Sequence, residues 1–233
     1  MKNRLGLPGM SRIVIVGTSH VASESLTRVD AAIEAYAPDV VGLELDRRRL
    51  HALENNLPSA SFWHLWRRAG FFSATFFTVG RILQQRIGTS LGLQPGSEML
   101  HALRAARDTG ASVALIDRDI TATLAALKRI PRKEKARFLL DLIPGRTKAD
   151  DALANLDLNT IPADEIVETV LSQMRERYPS FYGVLVDDRN RTIAHNALRL
   201  SRHFDTVLLV IGKAHSQGVE ELLHEEGVVA IVT

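Results

Sequence analysis

The sequence predicts an α/β fold in which a central mixed, mostly parallel sheet is flanked by helices and carries helical insertions. Short apolar runs, such as residues 13–16 and 208–211, are typical of strands buried on both faces. Segments with helical periodicity separate these runs, which is the alternation expected of βαβ units. The chain has 233 residues, enough to bury one substantial core.

The first βαβ unit lies at the N-terminal end. Apolar residues recur every three or four positions between Ser23, a suitable N-cap, and Pro38, which ends the predicted helix. A strand at 40–45 and a helix at 47–54 follow. Because the connection between the first two strands is short, we expect these strands to form a parallel pair.

The rest of the chain continues the alternation. Gly110 is a suitable end for one helix and Pro131 interrupts another. Acidic residues at 187–188 suit the first turn of a new helix, where the helix dipole favours them. The predicted elements are a helix at 97–110, a strand at 112–116, helical residues at 121–144, loops at 145–163, a helix at 165–177, a helix opening at 187–190, a strand at 206–211, a helix after His215 and a strand at 228–232.

The same pattern ends two of the apolar runs, one near each end of the chain. Residues 13–20 read IVIVGTSH and residues 208–215 read LLVIGKAH, so four apolar residues precede Gly-x-x-His in both. Ligands bind at the carboxyl ends of the strands in open α/β sheets. His20 and His215 are therefore predicted to face one pocket, and two convergent imidazoles indicate a metal or an acid–base site.

Composition narrows the choice of function. The formal net charge is +2, because 29 basic residues nearly cancel 27 acidic ones, and this balance gives no case for nucleic-acid binding. The chain has no cysteine, which excludes disulfides, thiolate catalysis and zinc–thiolate sites. A metal site would use His, Asp, Glu or water. The composition is compatible with a cytoplasmic protein.

We predict a single domain over residues 10–233, with helical insertions at about 56–96 and 121–183 and a disordered leader at 1–9. Residues 62–79 are rich in aromatic and basic side chains. The favoured interpretation is a helical hairpin packed on the core or on a second subunit of a homodimer. The alternative is contact with a membrane surface, since the apolar stretch is too short to span a bilayer.

Other polar residues also stand at predicted strand ends or helix starts. Glu44 and Asp117 follow apolar runs, and their side chains would approach the two histidines if the strands are parallel. Two histidines and one carboxylate with an open position are a common hydrolytic or redox metal arrangement. Arg189 would stabilise an oxyanion or hold a substrate carboxylate.

For each of these residues a purely structural role is the alternative interpretation. Glu44 would be a solvated strand end, Asp117 part of an ion pair with Arg118, and Glu98 a carboxylate that stabilises the first turn of its helix. Arg189 and Asn190 would cap or bridge a helix start. The run of three arginines at 47–49 is interpreted as a solvated helix face.

The ordered motifs of the chain resemble those of the TraB domain, a family that includes the pheromone-shutdown proteins TraB and PrgY and is related to the GumN and Tiki proteins. The similarity covers essentially the whole chain. It is carried by GTSHV at 17–21, PDV at 38–40, ELDRR at 44–48, PGSEM at 95–99, LIDRDI at 115–120, LVDDRN at 185–190 and GKAHSQG at 212–218.

The resemblance implies a fold like that of the ChaN and erythromycin-esterase-like proteins. It also implies that the paired Gly-x-x-His motifs, an acidic residue and an Arg-Asn pair form an active site. In Tiki relatives these features belong to a metal-dependent protease. By that resemblance His20 and His215 are metal ligands, and Arg189 and Asn190 support the site. The acidic ligand is Glu44 or Glu98, and its strand-end position favours Glu44.

The chain departs from several relatives, which have an acidic residue at the position of Asn190 and a Met-Ala pair at the position of Ile193-Ala194. The predicted function is that of a metal-dependent hydrolase, specifically a peptidase, that uses Mn²⁺, Co²⁺ or Zn²⁺ on a peptide or signalling substrate. Glu98 or Asp117 would act as acid–base residue. Two alternatives are a non-enzymatic peptide- or ligand-binding regulator and an interaction module at the membrane that uses residues 62–79.

Overall fold

A computed structural model describes residues 11–18, 22–55, 57, 97–141 and 163–233 of the chain. His20, the predicted leader at 1–9 and the aromatic segment at 62–79 lie outside these residues. The predicted insertion at 56–96 also lies outside them, apart from Leu57. The same is true of the loops predicted at 145–163, apart from residue 163. None of the helices in the described part combines the length and the apolarity needed to cross a bilayer.

Helices and strands alternate through the described residues. The strands are β1 (Arg12–Thr18), β2 (Val40–Leu43), β3 (Ser112–Leu115), β4 (Thr206–Gly212) and β5 (Ile231–Val232). The helices are α1 (Ala22–Tyr36), α2 (Arg47–Glu54), α3 (Ser97–Asp108), α4 (Ile120–Arg129), α5 (Arg132–Asp141), α6 (Ala163–Arg177), α7 (Pro179–Tyr182), α8 (Asp188–Ser201) and α9 (Lys213–Glu225). A π-helical segment, Gly183–Asp187, joins α7 to α8.

The five strands form one sheet in the order β3-β2-β4-β1-β5, and every pairing in it is parallel. The predicted α/β class is confirmed. The expectation that β1 and β2 form a pair is wrong, because β4 lies between them and pairs with both. As a result, the two strands that lead to the Gly-x-x-His motifs are direct neighbours, with Thr18 opposite Gly212.

Both faces of the sheet are covered. Alternate residues of β1 and β4, including Val14 and Val210, pack with α1 and α3 on one face. The intervening residues, including Ile15 and Leu209, pack with α8 and α9 on the other. This two-sided burial is why the central strands read as continuous apolar runs rather than alternating ones.

The helix predicted to open at Asp187 begins earlier. Asp187 has helical dihedral angles, φ −62° and ψ −46°, and the chain is helical from Pro179 through the π segment into α8. Asp188 and Arg189 therefore lie within a long helix and not at a free N-terminus. The acidic residues Asp187 and Asp188 are therefore not stabilised by the dipole of a free helix N-terminus, contrary to the prediction.

Candidate functional site

The site lies where two connections leave the sheet in opposite directions. The chain passes from β1 to α1 on one face, and from β4 directly into α9 on the other. A crevice forms at such a switch point, beyond the carboxyl ends of adjacent parallel strands. β1 ends at Thr18, two residues before His20, and β4 ends at Gly212, three residues before His215.

Glu44 follows β2 directly and is buried, with 7% of its surface exposed. One carboxylate oxygen, Oε2, accepts a hydrogen bond from the Gly212 backbone N–H, and the other, Oε1, accepts one from Arg189 Nη2. Burial alone would raise the pKa of Glu44. The positive charge of Arg189, that of His215 when protonated, and the Gly212 N–H outweigh burial and lower this pKa, so Glu44 is ionised at neutral pH.

Asp117 lies just beyond β3 and its side chain is only 2% exposed. Its carboxylate accepts hydrogen bonds from Arg189 Nε at 3.0 Å, Arg189 Nη2 at 2.7 Å and Arg49 Nη1 at 2.8 Å. Burial would raise the pKa of Asp117, but the two guanidinium groups lower it. Asp117 is therefore held as a carboxylate.

The predicted ion pair between Asp117 and the Arg118 side chain does not form. The contact of Arg118 with the Asp117 carboxylate is through its backbone N–H, which donates to Asp117 at 2.7 Å. The Arg118 guanidinium instead donates to Asp188 at 2.6 Å. Arg118 and Arg189 thus bind different carboxylates, and both join the loop after β3 to the start of α8.

His215 lies in the first turn of α9 and is 5% exposed. Its Nδ1 is 2.7 Å from the amide oxygen of Asn190, which is also buried. An amide oxygen is only an acceptor, so Nδ1 carries the proton and donates it. Burial lowers the pKa of His215, which favours the neutral ring. In that ring the lone pair is on Nε2.

The lone pair of His215 faces a carboxylate. Nε2 lies 3.6 Å from Glu44 Oε1, beyond normal hydrogen-bond distance. A neutral ring with its proton on Nδ1 has no hydrogen to offer Glu44. Two electron-rich atoms therefore face each other in a buried setting, an arrangement that a cation between them would stabilise.

The π-helical segment Gly183–Asp187 directly precedes the polar residues of α8. Because a π turn adds a residue to the helix, it changes the direction in which all later side chains point. The three residues that follow each bind a different partner in the site: Asp188 binds Arg118, Arg189 binds Glu44 and Asp117, and Asn190 binds His215. π turns are frequent at functional sites, and no sequence signal predicted this one.

Five of the predicted residues therefore form one connected cluster, which we name the Glu44–His215 cluster. Its members are Glu44, Asp117, Arg189, Asn190 and His215. Glu98, half-buried in the first turn of α3, contacts Ser97 Oγ at 3.5 Å and is not joined to this cluster by the described contacts. His20 lies outside the described residues.

The sequence interpretation missed two participants. Arg49, placed on a solvated helix face, reaches Asp117 although its side chain is 45% exposed. Gly218 lies one turn beyond His215 on α9, against the Asn190 amide. Gly218 ends the GKAHSQG motif, so its position in the motif was the available signal.

Two atoms of the cluster, His215 Nε2 and Glu44 Oε1, are suited to be ligands of a divalent cation. His215 has the feature usual for a metal-ligating histidine, in which the second ring nitrogen donates a hydrogen bond that fixes the ring. Two ligands about 2.1 Å from a tetrahedral metal are about 3.4 Å apart, close to the separation of Nε2 and Oε1. The described residues alone contain no group of three His, Asp or Glu side chains suited to hold a metal. The predicted third ligand, His20, is not among them.

Comparison with known proteins identifies the family to which the chain belongs. The pattern of the TraB/PrgY/gumN family matches residues 8–230. An uncharacterized protein of Methanocaldococcus jannaschii is 32% identical over 216 residues, covering 91% of this chain and 53% of the relative. The human and mouse TraB domain-containing proteins are each 22% identical over 238 residues, covering 91% of this chain and 62% of the relative. The chain thus spans somewhat over half the length of these relatives, and it belongs to the TraB/PrgY/gumN family.

Proposed function

We propose that the Glu44–His215 cluster is the centre of a metal-dependent hydrolase, specifically a peptidase acting on a peptide or signalling substrate. The observation that carries the proposal is the opposition of His215 Nε2 and Glu44 Oε1 at 3.6 Å, with the ring proton committed to Asn190. Glu44, His215 and His20 would hold the ion. Mn²⁺, Co²⁺ and Zn²⁺ suit imidazole and carboxylate ligands.

A bound divalent ion supplies Lewis-acid polarisation and a water of lowered pKa. The protein's own groups have separate tasks. Asn190 fixes the His215 ring through Nδ1, and Arg189 holds the Glu44 carboxylate in place. The Arg189 side chain is 20% exposed, and its positive charge would stabilise the charge that develops on a substrate carbonyl oxygen.

Hydrolysis also needs a proton donor for the leaving group. Asp117 is disfavoured, because two guanidinium groups keep it ionised. Asn190 is likewise disfavoured as an oxyanion donor, since its amide oxygen is committed to His215 and its nitrogen lies against Gly218. Glu98 is the remaining candidate acid, and it lies at the N-terminal end of α3.

The proposal is tested by elemental analysis of the purified protein, incubated with Mn²⁺, Co²⁺ or Zn²⁺ and then freed of unbound metal. We expect about one metal per chain, lost in His20→Ala and His215→Ala. The exposed His203→Ala is the matched control and retains the metal. Circular dichroism establishes that each variant is folded. Stoichiometric metal in both folded site variants would overturn the proposal, whereas the expected loss justifies a screen of peptide substrates.

A second candidate is a non-enzymatic regulator that binds a peptide or another small ligand in the same crevice. It is favoured by the engagement of both Glu44 oxygens with protein donors, Gly212 N–H and Arg189. A carboxylate held in this way supports a rigid pocket without any metal. Peptide binding that survives chelation and is not followed by cleavage would favour this candidate over the hydrolase.

A further inference from the structure

We propose that Gly218 is a positioning residue of the site, whose missing side chain admits the Asn190 amide and thereby fixes the tautomer of His215. A Cβ atom at Gly218 would lie 2.2 Å from Asn190 Nδ2 and 3.1 Å from Asn190 Cγ. The first distance is shorter than any real Cβ contact, and the second is at the tight end of the contacts that Cβ atoms make. An alanine at 218 therefore cannot coexist with the present position of the Asn190 amide.

The backbone gives no other reason for glycine at this position. The glycines with left-handed φ values in the described part are Gly110 and Gly227, at 76° and 77°. Gly218 instead lies inside α9, and glycine in a helix interior is less stable than alanine. The close approach of the Asn190 amide explains why glycine occurs here although alanine would favour the helix.

Asn190 has little freedom to avoid a larger neighbour. Asn190 is 5% exposed, and its side chain on α8 contacts His215 and Gly218 of α9. Its Cβ lies 3.8 Å from the position of a Cβ at Gly218, which is an ordinary contact, so only the amide group is in conflict. The amide would have to rotate away, and the hydrogen bond of 2.7 Å to His215 Nδ1 would be lost.

The consequence concerns which nitrogen of His215 carries the proton. While Asn190 Oδ1 accepts from Nδ1, the lone pair remains on Nε2 and faces Glu44. Without that acceptor the proton moves to Nε2, and a small approach of the two groups from 3.6 Å lets Glu44 Oε1 accept it. The nitrogen that would bind a cation is then blocked. The effect on the tautomer is a property of the protein alone, and only its effect on metal binding rests on the proposed function.

The test compares Gly218→Ala with Gly183→Ala by nitrogen-15 NMR of the histidine rings in metal-free protein. The His215 signals are identified among those of the eight histidines by their loss in His215→Gln. Gly183 is a matched control, because the nearest atom to a Cβ there is Asp187 Oδ2, 4.0 Å away. We expect the ring proton on Nδ1 in the wild type and in Gly183→Ala, and mainly on Nε2 in Gly218→Ala.

A double-mutant cycle shows whether Gly218 acts through Asn190. Asn190→Ala alone should give the same change of tautomer, and Gly218→Ala should add nothing to it, because the conflicting amide is gone. If Gly218→Ala does not fold, Asn190→Ala/Gly218→Ala should restore folding for the same reason. A wild-type tautomer in Gly218→Ala, additive effects, or a double variant that also fails to fold would each overturn the proposal.

Titration of the same variants with Mn²⁺ separates this proposal from the proposed function. Loss of a hydrogen bond to the second nitrogen of a ligating histidine typically weakens metal binding about 10- to 100-fold. We expect that loss in Gly218→Ala and unchanged affinity in Gly183→Ala. A wild-type protein that binds no metal, combined with the expected change of tautomer, would refute the hydrolase and leave the role of Gly218 intact. A change of tautomer without loss of measured affinity would overturn the assignment of Gly218 to the metal site.

Discussion

The Arg189 guanidinium binds Asp117 through two parallel hydrogen bonds, Nε to Oδ1 at 3.0 Å and Nη2 to Oδ2 at 2.7 Å, across 72 residues of sequence. The same Nη2 also binds Glu44. One side chain thus connects the ends of β2 and β3 to α8. Only the planar, forked donor set of arginine binds a carboxylate in this way, so lysine would not replace it.

Asp117→Asn is expected to destabilise the protein by about 2–4 kcal/mol, since removing one partner from a buried ion pair leaves the other charge unpaired. Urea unfolding followed by circular dichroism measures the change. Asp188→Asn is the matched control. It interrupts the pair with Arg118, where Asp188 is 35% exposed, and should cost less than about 1 kcal/mol. Equal losses in the two variants would contradict the buried role of Asp117.

Local sequence signals were sufficient for most helices and strands. Apolar periodicity predicted α1, and Gly110, with φ 76°, lies just past the end of α3 as expected. The break at Pro131 separates α4 from α5. In each case the residues that form or end the helix lie within a few positions of the feature that they determine. Local sequence is therefore sufficient to predict it.

The order of the strands could not be predicted in this way. Insertion of β4 between β1 and β2 depends on a contact between residues nearly 200 positions apart, such as Ile13 with Val207. Local periodicity contains no information on such pairings. The paired Gly-x-x-His motifs nevertheless indicated where β1 and β4 end, which is at the same edge of the sheet, because the motifs report strand ends and not which strands are neighbours.

The ion pairs within the site also could not be predicted from the sequence. Asp117, Arg118 and Asp188 each stand beside charged residues in the chain, and neighbours in sequence are the natural first guess for an ion pair. In the folded chain Arg118 binds Asp188 and Arg189 binds Asp117, and both pairs join the start of α8, directly after the π turn, to the loop after β3. Choosing among several plausible ion pairs requires the three-dimensional direction of each side chain.

Gly17 of β1 packs closely against α9. A Cβ at Gly17 would lie 2.8 Å from Ser216 Oγ but 3.7 Å from Ser216 Cβ. Gly17→Ala is therefore expected to destabilise the protein by about 1–2 kcal/mol through overpacking. Thermal unfolding measures the loss.

Removal of the Ser216 hydroxyl should relieve this conflict. Gly17→Ala in a Ser216→Ala background is expected to cost less than half of what it costs in the wild type. Ser216→Ala alone is the reference variant. It measures the stability lost with the hydroxyl and with its long contact to Gly212 O at 3.5 Å. Equal costs of Gly17→Ala in both backgrounds would show that Ser216 Oγ is not the limiting contact.

The start of α2 depends on Asp46. Its Oδ1 accepts the backbone N–H groups of Arg48 at 2.7 Å and Arg49 at 2.9 Å, and the helix has no fully buried residue of its own. Asp46→Ala should cost about 1 kcal/mol and increase hydrogen exchange at these two amides. Asp46→Asn is the matched control, since its amide oxygen can still cap. Unchanged exchange in Asp46→Ala would contradict the capping role.

Asp141 should make stability depend on pH in the acid range. The hydrogen bond from Arg177 Nε at 2.7 Å lowers the pKa of Asp141, and the Tyr178 hydroxyl, which also donates to it, adds to this effect against partial burial. A lowered pKa in the folded state means that the contribution to stability is present above the unfolded-state pKa of about 3.9 and is lost as pH falls through the folded-state value.

Asp141→Asn is therefore expected to lower the free energy of unfolding by about 1–2 kcal/mol at pH 7, chiefly through the Tyr178 hydrogen bond to a charged acceptor. The difference from the wild type should stay constant down to about pH 5 and shrink below about pH 4, where the wild-type carboxylate also loses its charge. Urea unfolding at a series of pH values measures it, with the exposed Asp205→Asn as control. A difference that does not vary with pH would show that Asp141 contributes through packing and not through its charge.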